Sequence, residues 1–334
     1  MKYIIISAIA VLFFANSANS QTTLPDTIKV NTILTKDKSP YLVPKRLVVL
    51  LNAKLTIQSG VKVLFATGVS VTINGSLNIL GKQGDSVYFD SNVKGQKWNI
   101  INTKNANLNV NYLYAHGFTR FFAISGGDSI VFQHCTVLAT SGTGDDITAI
   151  HDAKYILFDS VYLESSGKLA SSKNDGIDMD NIDICIIRNC TISKMTDDAV
   201  DVGTGSRYAH IYNNNLSYCN YGVTIGEKSV ASIHNNILHH NDGGIECHNG
   251  SIVTAANNTI YANTDGITAY HYEEGTTPAS GGNITVLNTI FFGNTNKEIL
   301  KIASSTVAVS YSISAKEKLT GTNNPKCREV ISIP

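Results

Sequence analysis

Residues 214–268 read NNLSYCNYGVTIGEKSVASIHNNILHHNDGGIECHNGSIVTAANNTIYANTDGIT, and three segments in them, NNLS, NNIL and NNTI, repeat an Asn pair ahead of an apolar residue. Their second residues, Asn215, Asn236 and Asn258, are 21 and 22 residues apart. Working outward, VNYL, HCTV, DSVY and NCTI extend the column back to Asn111, Cys135, Ser160 and Cys190, and LNTI carries it on to Asn288. A second column keeps time with the first: Phe122, Asp146, Asp175, Asp198, Tyr221, Gly243 and Asp265, at steps of 24, 29, 23, 23, 22 and 22. Two columns in phase at this spacing predict a solenoid whose coils are two or three short strands each. An antiparallel sandwich also repeats strands at short intervals, but it gives no reason for two columns to stay in phase.

The expected fold class is therefore all-β, a right-handed parallel β-helix (β-solenoid) of about ten coils. Stacked coils lie ~4.8 Å apart, so equivalent residues form ladders along the axis. Asn215, Asn236, Asn258 and Asn288 are expected to form one, each amide bonding the next. Ile177, Val200, Val223, Ile245 and Ile267 form an inward aliphatic column. Residues 48–90 alternate apolar and polar between Ser59-Gly60, Thr67-Gly68 and Asn74-Gly75 turns, as the first coils would. Trp98 is expected in the core or a cap rather than on a binding platform. The alternation at 306–312 predicts a last coil ahead of a polar cap.

The start of the chain predicts the compartment. Lys2, the apolar stretch 3–15 and the small residues Ala18 and Ser20 read as a signal peptide with Gln21 as the mature N-terminus. The expected division is a signal peptide at 1–20, a leader and cap at 21–47, and the β-helix with its C-terminal cap at 48–334. The protein is then secreted, periplasmic or on the cell surface. No later segment reaches the ~20 apolar residues of a spanning helix. A net charge of +0 gives no pull toward nucleic acid or anionic membrane, and the chain is expected to act as a monomer. The six cysteines do not space like a disulfide framework and read as mostly buried free thiols. Cys185 and Cys190, at an odd offset, are expected on opposite faces.

Function on a solenoid concentrates where coils carry insertions. Counted from ladder residue to second column, the coils measure 11, 11, 15, 8, 6, 7 and 7 residues, so the early ones carry loops at 119–121, 141–145 and 165–173. A further insertion spans 270–282. The long loops precede an acidic concentration: Asp145, Asp146, Asp175, Asp178, Asp180, Asp197, Asp198 and Asp201. Asp146, Asp175 and Asp198 share a column; Asp178, Asp201 and Glu246 share another; His151 and His248 fall in the column of Asp180. Alternation turns Asp178, Asp180 and Asp201 outward, away from Ile177, Met179 and Val200. Carboxylates stacked this closely repel and call for a cation, shared protons or good solvation. Asp178, Asp180 and Asp201 could hold Ca²⁺, the only cofactor suggested. Paired acids could instead do acid–base work on a sugar chain. A plainer role is also open, since Asp before Gly or Ala is a good turn residue, and Asp242-Gly243 and Asp265-Gly266 repeat it without a cluster.

The run Asn174-Asp175-Gly176-Ile177-Asp178, then Thr196-Asp197-Asp198, then Asn220-Tyr221-Gly222-Val223-Thr224-Ile225-Gly226 resembles the core of polygalacturonase-type glycoside hydrolases. More broadly, the chain is similar to secreted pectate-lyase-like β-helix repeat proteins. The resemblance implies Asp175, Asp197 and Asp198 as catalytic residues, one protonating the glycosidic oxygen and the others activating water, with inversion. Asp178, Asp201, Tyr221, Glu246 and His248 would then bind substrate, a polysaccharide or cell-surface glycan. The chain departs from the family at Tyr221, which stands for a His, at Lys173-Asn174, which stand for Asn-Thr, and in lacking an Arg-Ile-Lys segment. Tyr221 cannot titrate as imidazole does near neutral pH. Lyases on this fold pair Ca²⁺ with a Lys or Arg base, for which Lys173, Lys194, Arg207 and Lys228 are in register. Two functions stand at this point: a polysaccharide-active hydrolase or lyase, and a non-catalytic glycan- or protein-binding module.

Overall fold

Among the described residues the strands form three parallel sheets, of 14, 12 and 12 strands, and each full coil lays one strand on each of them. The computed structural model describes residues 21–139, 146–166, 173–271, 280–302, 304–314 and 328–329. The 12-stranded sheets set the height at about 12 turns rather than ten. The difference lies at the N-terminal end. Thr22–Thr23 pairs with Tyr41–Val43, Thr27–Ile28 with Leu47–Val49 and Thr32–Leu34 with Lys54–Gln58, so the stretch read as leader and cap already carries coil strands. At the other end Thr306–Ser310 and Ile313–Ser314 add the expected last coil; most of the cap expected beyond it lies outside the described residues.

Alternation fills the interior. Ile177, Val200, Val223, Ile245 and Ile267 stand in register and are fully buried. Trp98 is a core residue: it is fully buried, stacks on Phe65 at 4.6 Å between ring centroids, and its indole N–H donates to the His116 carbonyl at 2.9 Å. The five described cysteines are buried free thiols, and burial pushes those of Cys135, Cys190, Cys219 and Cys247 up to about 12. Cys185 and Cys190 both point inward, against expectation. Between them Asn189 takes a left-handed φ of 55°, which resets the alternation at the corner.

The corners are held by polar ladders. At the one entering the first sheet, the Asn236 carboxamide oxygen accepts the Asn214 backbone N–H at 2.9 Å, and the Asn258 oxygen accepts that of Asn236 at 3.0 Å. The slot is thus filled by Asn214, not Asn215, and by Thr289, not Asn288. In earlier coils it holds Leu113, Cys135, Val161 and Cys190, so Asn111 and Ser160 also fall outside it. Two further ladders were not expected: Asn241, Asn263 and Asn294 beneath Cys219, and Ser206, Ser229 and Ser251 at a third corner.

The second sheet positions the site. Six of its consecutive strands are β1 (Thr148–His151), β2 (Ile177–Asp180), β3 (Val200–Gly203), β4 (Tyr221–Ile225), β5 (Gly243–His248) and β6 (Asp265–Tyr270). Among the described residues, no helix is long and apolar enough to cross a membrane.

Candidate functional site

Two residues before β1, β2 and β3, the chain turns into the second sheet through Asp146, Asp175 and Asp198, which stack as the sequence spacing predicts. Tyr221, Gly243 and Asp265 continue the column, while its first member is Arg120, two residues before the expected Phe122. Each carboxylate holds the next coil. Asp146 Oδ1 accepts the Asp175 N–H at 3.1 Å, Asp175 Oδ1 that of Asp198 at 2.7 Å, and Asp198 Oδ1 that of Tyr221 at 2.8 Å. One oxygen of each Asp therefore does the turn-residue work and leaves the other for different partners. Arg120 donates to Asp146 Oδ2 at 3.3 Å, and the Thr224 hydroxyl donates to Asp198 Oδ2 at 2.6 Å.

The outward column also stands in register: Asp178, Asp201, Thr224 and Glu246 on β2 to β5. Together with the corner residues it floors a groove of about 690 Å³. Asp197, Asp198, Asp201, Tyr221, Glu246 and His248 all line it, whereas Asp175, Asp178 and Asp180 lie beside it toward the N-terminal coils. Lys173, Asn220, Thr224, Glu227, Asn249 and Tyr270 complete the lining. Of these six, only Lys173 was singled out from the sequence for chemistry. Of the four candidate bases, Lys173 alone reaches the groove; Lys194 pairs with Glu164 at 2.8 Å and Arg207 with Asp183 at 3.7 Å. The loop at 141–145, most of that at 165–173, and most of the 270–282 insertion lie outside the described residues.

Glycine makes room for the floor. A Cβ on Gly226 would stand 2.5 Å from the His248 ring, so only Gly lets that ring lie across the neighbouring coil. His248 stacks on Tyr270 at 5.3 Å, its Nδ1 3.8 Å from Glu227 and its Nε2 3.9 Å from Glu246. Glu246 accepts hydrogen bonds from the Tyr221 and Tyr270 hydroxyls.

Burial dominates the electrostatics. It pushes the Asp198 carboxyl up to about 7 against the opposing hydrogen bond from Thr224, and Glu246 up to about 8 with help from the Asp198 charge. Asp178 also rises to about 7, by burial and then by the charges of Asp146 and Asp180. Asp175 is raised to about 9 and Asp201 well above the usual carboxylate range, both by burial and by facing other carboxylates, and Asp197 is raised by burial. Burial lowers His248 and so favours the neutral ring. A pH dependence of stability follows. These acids bind protons in the folded chain that the unfolded chain has released above ~4. Stability is then greatest in acid and falls as pH rises from ~4 through about 7 to 8. Thermal melts should shift downward between pH 5 and pH 9, and Asp178→Asn should flatten the shift.

Two clusters could take part of a hard cation's oxygen shell. Asp175, Asp178 and Asp201 can bring one oxygen each within 4.8 Å of one another, as can Asp175, Asp197 and Asp198. The expected trio of Asp178, Asp180 and Asp201 does not assemble. Asp180 sits one coil and two positions from Asp201, a diagonal too long for one ion, and groups instead with His151 and Asp178. Its Oδ2 lies 3.3 Å from His151 Nδ1 and its Oδ1 accepts the Thr204 hydroxyl at 2.6 Å.

A family model described as a right handed beta helix region matches residues 165–324. No curated protein matches the chain. Among solved structures, the chain is similar to an alginate lyase from Paenibacillus sp. str. FPU-7, with 13% identity, a TM-score of 0.38, and coverage of 80% of this chain and 91% of that one. It is similar to the Dettilon tailspike protein gp208, with 16% identity and a TM-score of 0.40, over 89% of this chain and 59% of the tailspike. The A-module of the mannuronan C-5 epimerase AlgE6 from Azotobacter vinelandii shares 14% identity, with a TM-score of 0.25 and coverage of 94% and 91%. Three parallel sheets wound coil on coil, together with the family match, make the chain a right-handed parallel β-helix.

Proposed function

We propose that the chain cleaves a polysaccharide laid along the groove, by general acid–base chemistry at Asp197 and Asp198. The observation that carries this reading is the contrast between two adjacent acids on one floor. Asp198 is buried and keeps its proton to about 7, whereas Asp197 is half-buried and rests against Asn220, whose amide donates to it at 2.9 Å. Asp198 Oδ2 gives its proton to the glycosidic oxygen as the C–O bond breaks. The Asp197 carboxylate takes a proton from the water whose oxygen joins the anomeric carbon. Asp175, behind Asp198 and outside the groove lining, acts through the ladder bond that holds the Asp198 backbone. Tyr221, Tyr270 and His248 offer ring surfaces and hydrogen bonds to sugar. The protein would do this outside the cytoplasm, in the periplasm, at the cell surface or in the medium, as a monomer freed of residues 1–20.

The test is a panel of neutral, amino-sugar and uronate polysaccharides, incubated with added Ca²⁺ or with EDTA. Hydrolysis predicts new reducing ends without unsaturated products, unaffected by EDTA. Unsaturated products would move the reaction to elimination, with Lys173 as the groove's base. A second reading keeps the groove for binding alone, with a cation shared by Asp175, Asp178 and Asp201. It is favoured by Ca²⁺-dependent melting without any cleavage.

A further inference from the structure

The charge of the groove points to the class of glycan it accepts. We propose that it binds an amino-sugar chain, whose free amines meet the groove's carboxyls, in preference to a polyuronate. This rests on the glycan-cleaving role above and gives it a substrate class.

Asp197, Asp198, Asp201, Glu227 and Glu246 all line the groove, and Lys173 is the one Lys or Arg among its described lining residues. Their arrangement follows the axis. Asp201, Thr224 and Glu246 occupy one column on β3, β4 and β5, an oxygen acceptor at each coil. Coils rise by ~4.8 Å, close to the advance of a glycan by one pyranose unit, so successive sugars of a chain laid along the axis face successive acceptors. Each amine turned toward the floor then meets a carboxyl or hydroxyl as donor to acceptor, and a charged amine pairs with any carboxylate that has lost its proton. A uronate chain in the same place sets its carboxylates against every groove acid that has lost its proton, the juxtaposition that specific sites use to reject a ligand.

His248 supplies an independent sign that the floor awaits a donor. It is 8% exposed, and its Nδ1 is buried without a hydrogen-bond partner, in the stretch between Glu227 and Glu246. In the neutral tautomer with the proton on Nε2, toward Glu246, Nδ1 is an acceptor that an ammonium or hydroxyl donor satisfies.

The test uses the full-length mature protein in EDTA and low salt, titrated calorimetrically with glucosamine, N-acetylglucosamine and galacturonate hexamers. The glucosamine hexamer should bind about tenfold more tightly than its acetylated counterpart, and that preference should shrink as salt is added. Glu227→Gln, at the half-exposed rim, should weaken the glucosamine hexamer several-fold and the acetylated one much less. Equal binding of both, or tighter binding of galacturonate, overturns the proposal. The two readings fail separately. Cleavage of a uronate or neutral chain, with no binding of the glucosamine hexamer, sinks the substrate class and leaves the cleaving role. Binding of the glucosamine hexamer by a protein that cleaves nothing does the reverse, and no binding or cleavage of any chain removes both.

Discussion

Asp198→Asn should lower the rate of glycan cleavage on the order of 10²–10⁴-fold while leaving the melting temperature nearly unchanged. The two effects separate because the two oxygens of Asp198 have separate tasks. Oδ1 accepts the Tyr221 backbone N–H at 2.8 Å, and an Asn oxygen does the same. In the proposed mechanism Oδ2, which accepts the Thr224 hydroxyl, also carries the acidic proton, which an amide cannot transfer. Asp198→Ala makes the useful contrast: it loses the proton and also leaves the Tyr221 N–H without its acceptor, which costs ~1–3 kcal/mol. Initial rates and thermal melts of both variants check this. A rate loss that appears only with Ala, along with lost stability, would mean Asp198 is a turn residue and nothing more.

The second large effect concerns the fold. Asn236→Leu should destabilise the chain by roughly 3–5 kcal/mol, because several buried groups lose partners together. The Asn236 amide donates to the Ile211 carbonyl at 2.8 Å and to Asn258 Oδ1 at 3.1 Å. Its oxygen accepts the Asn214 backbone N–H at 2.9 Å and the Asn214 amide at 3.0 Å. Leu supplies neither donor nor acceptor, in a slot that is 1% exposed. Asn236→Thr should recover part of the loss, since Thr289 already occupies the same slot one turn past Asn258. The denaturation midpoint by circular dichroism reads both.

The contrast between the two columns shows what was legible in the sequence. The acidic column held from Asp146 to Asp265: from Asp175 onward its Asp, Tyr and Gly precede a small residue and an inward aliphatic, and Asp146, followed by Ile147 and Thr148, keeps the same register. The Asn column slipped by one at Asn215 and Asn288. Its corner has two consecutive positions that favour Asn for different reasons. The first takes a left-handed φ, as at Asn213 (56°), Asn235 (58°), Asn257 (55°) and Asn288 (47°); the second turns inward and bonds the next coil. In a run of three Asn, composition cannot tell the two apart. The same left-handed-then-inward pair would have revealed the unexpected ladder, where Tyr218, His240 and Gly293 precede Cys219, Asn241 and Asn294.

The candidate site was legible as acids in register but not as a groove. Column arithmetic brought Asp178, Asp201 and Glu246 together, and joined His248 to them. It could not say that Asp175 stands behind Asp198 or that Glu227 and Tyr270 wall the floor, because those follow from rotamers and corner geometry. Arg120 was within reach, since it sits one coil before Asp146 in the same column. It was hidden by a long loop that shifted the apparent register by two.

The most direct test of the central claim, that this groove is where a glycan is cleaved, is a crystal structure of the Asp198→Asn variant with an oligosaccharide of the preferred class. The account predicts a sugar chain running along the solenoid axis over β3, β4 and β5, with one glycosidic oxygen within hydrogen-bond distance of the side chain at position 198. A chain bound on another face, or one in the groove with no glycosidic oxygen near that side chain, would contradict it.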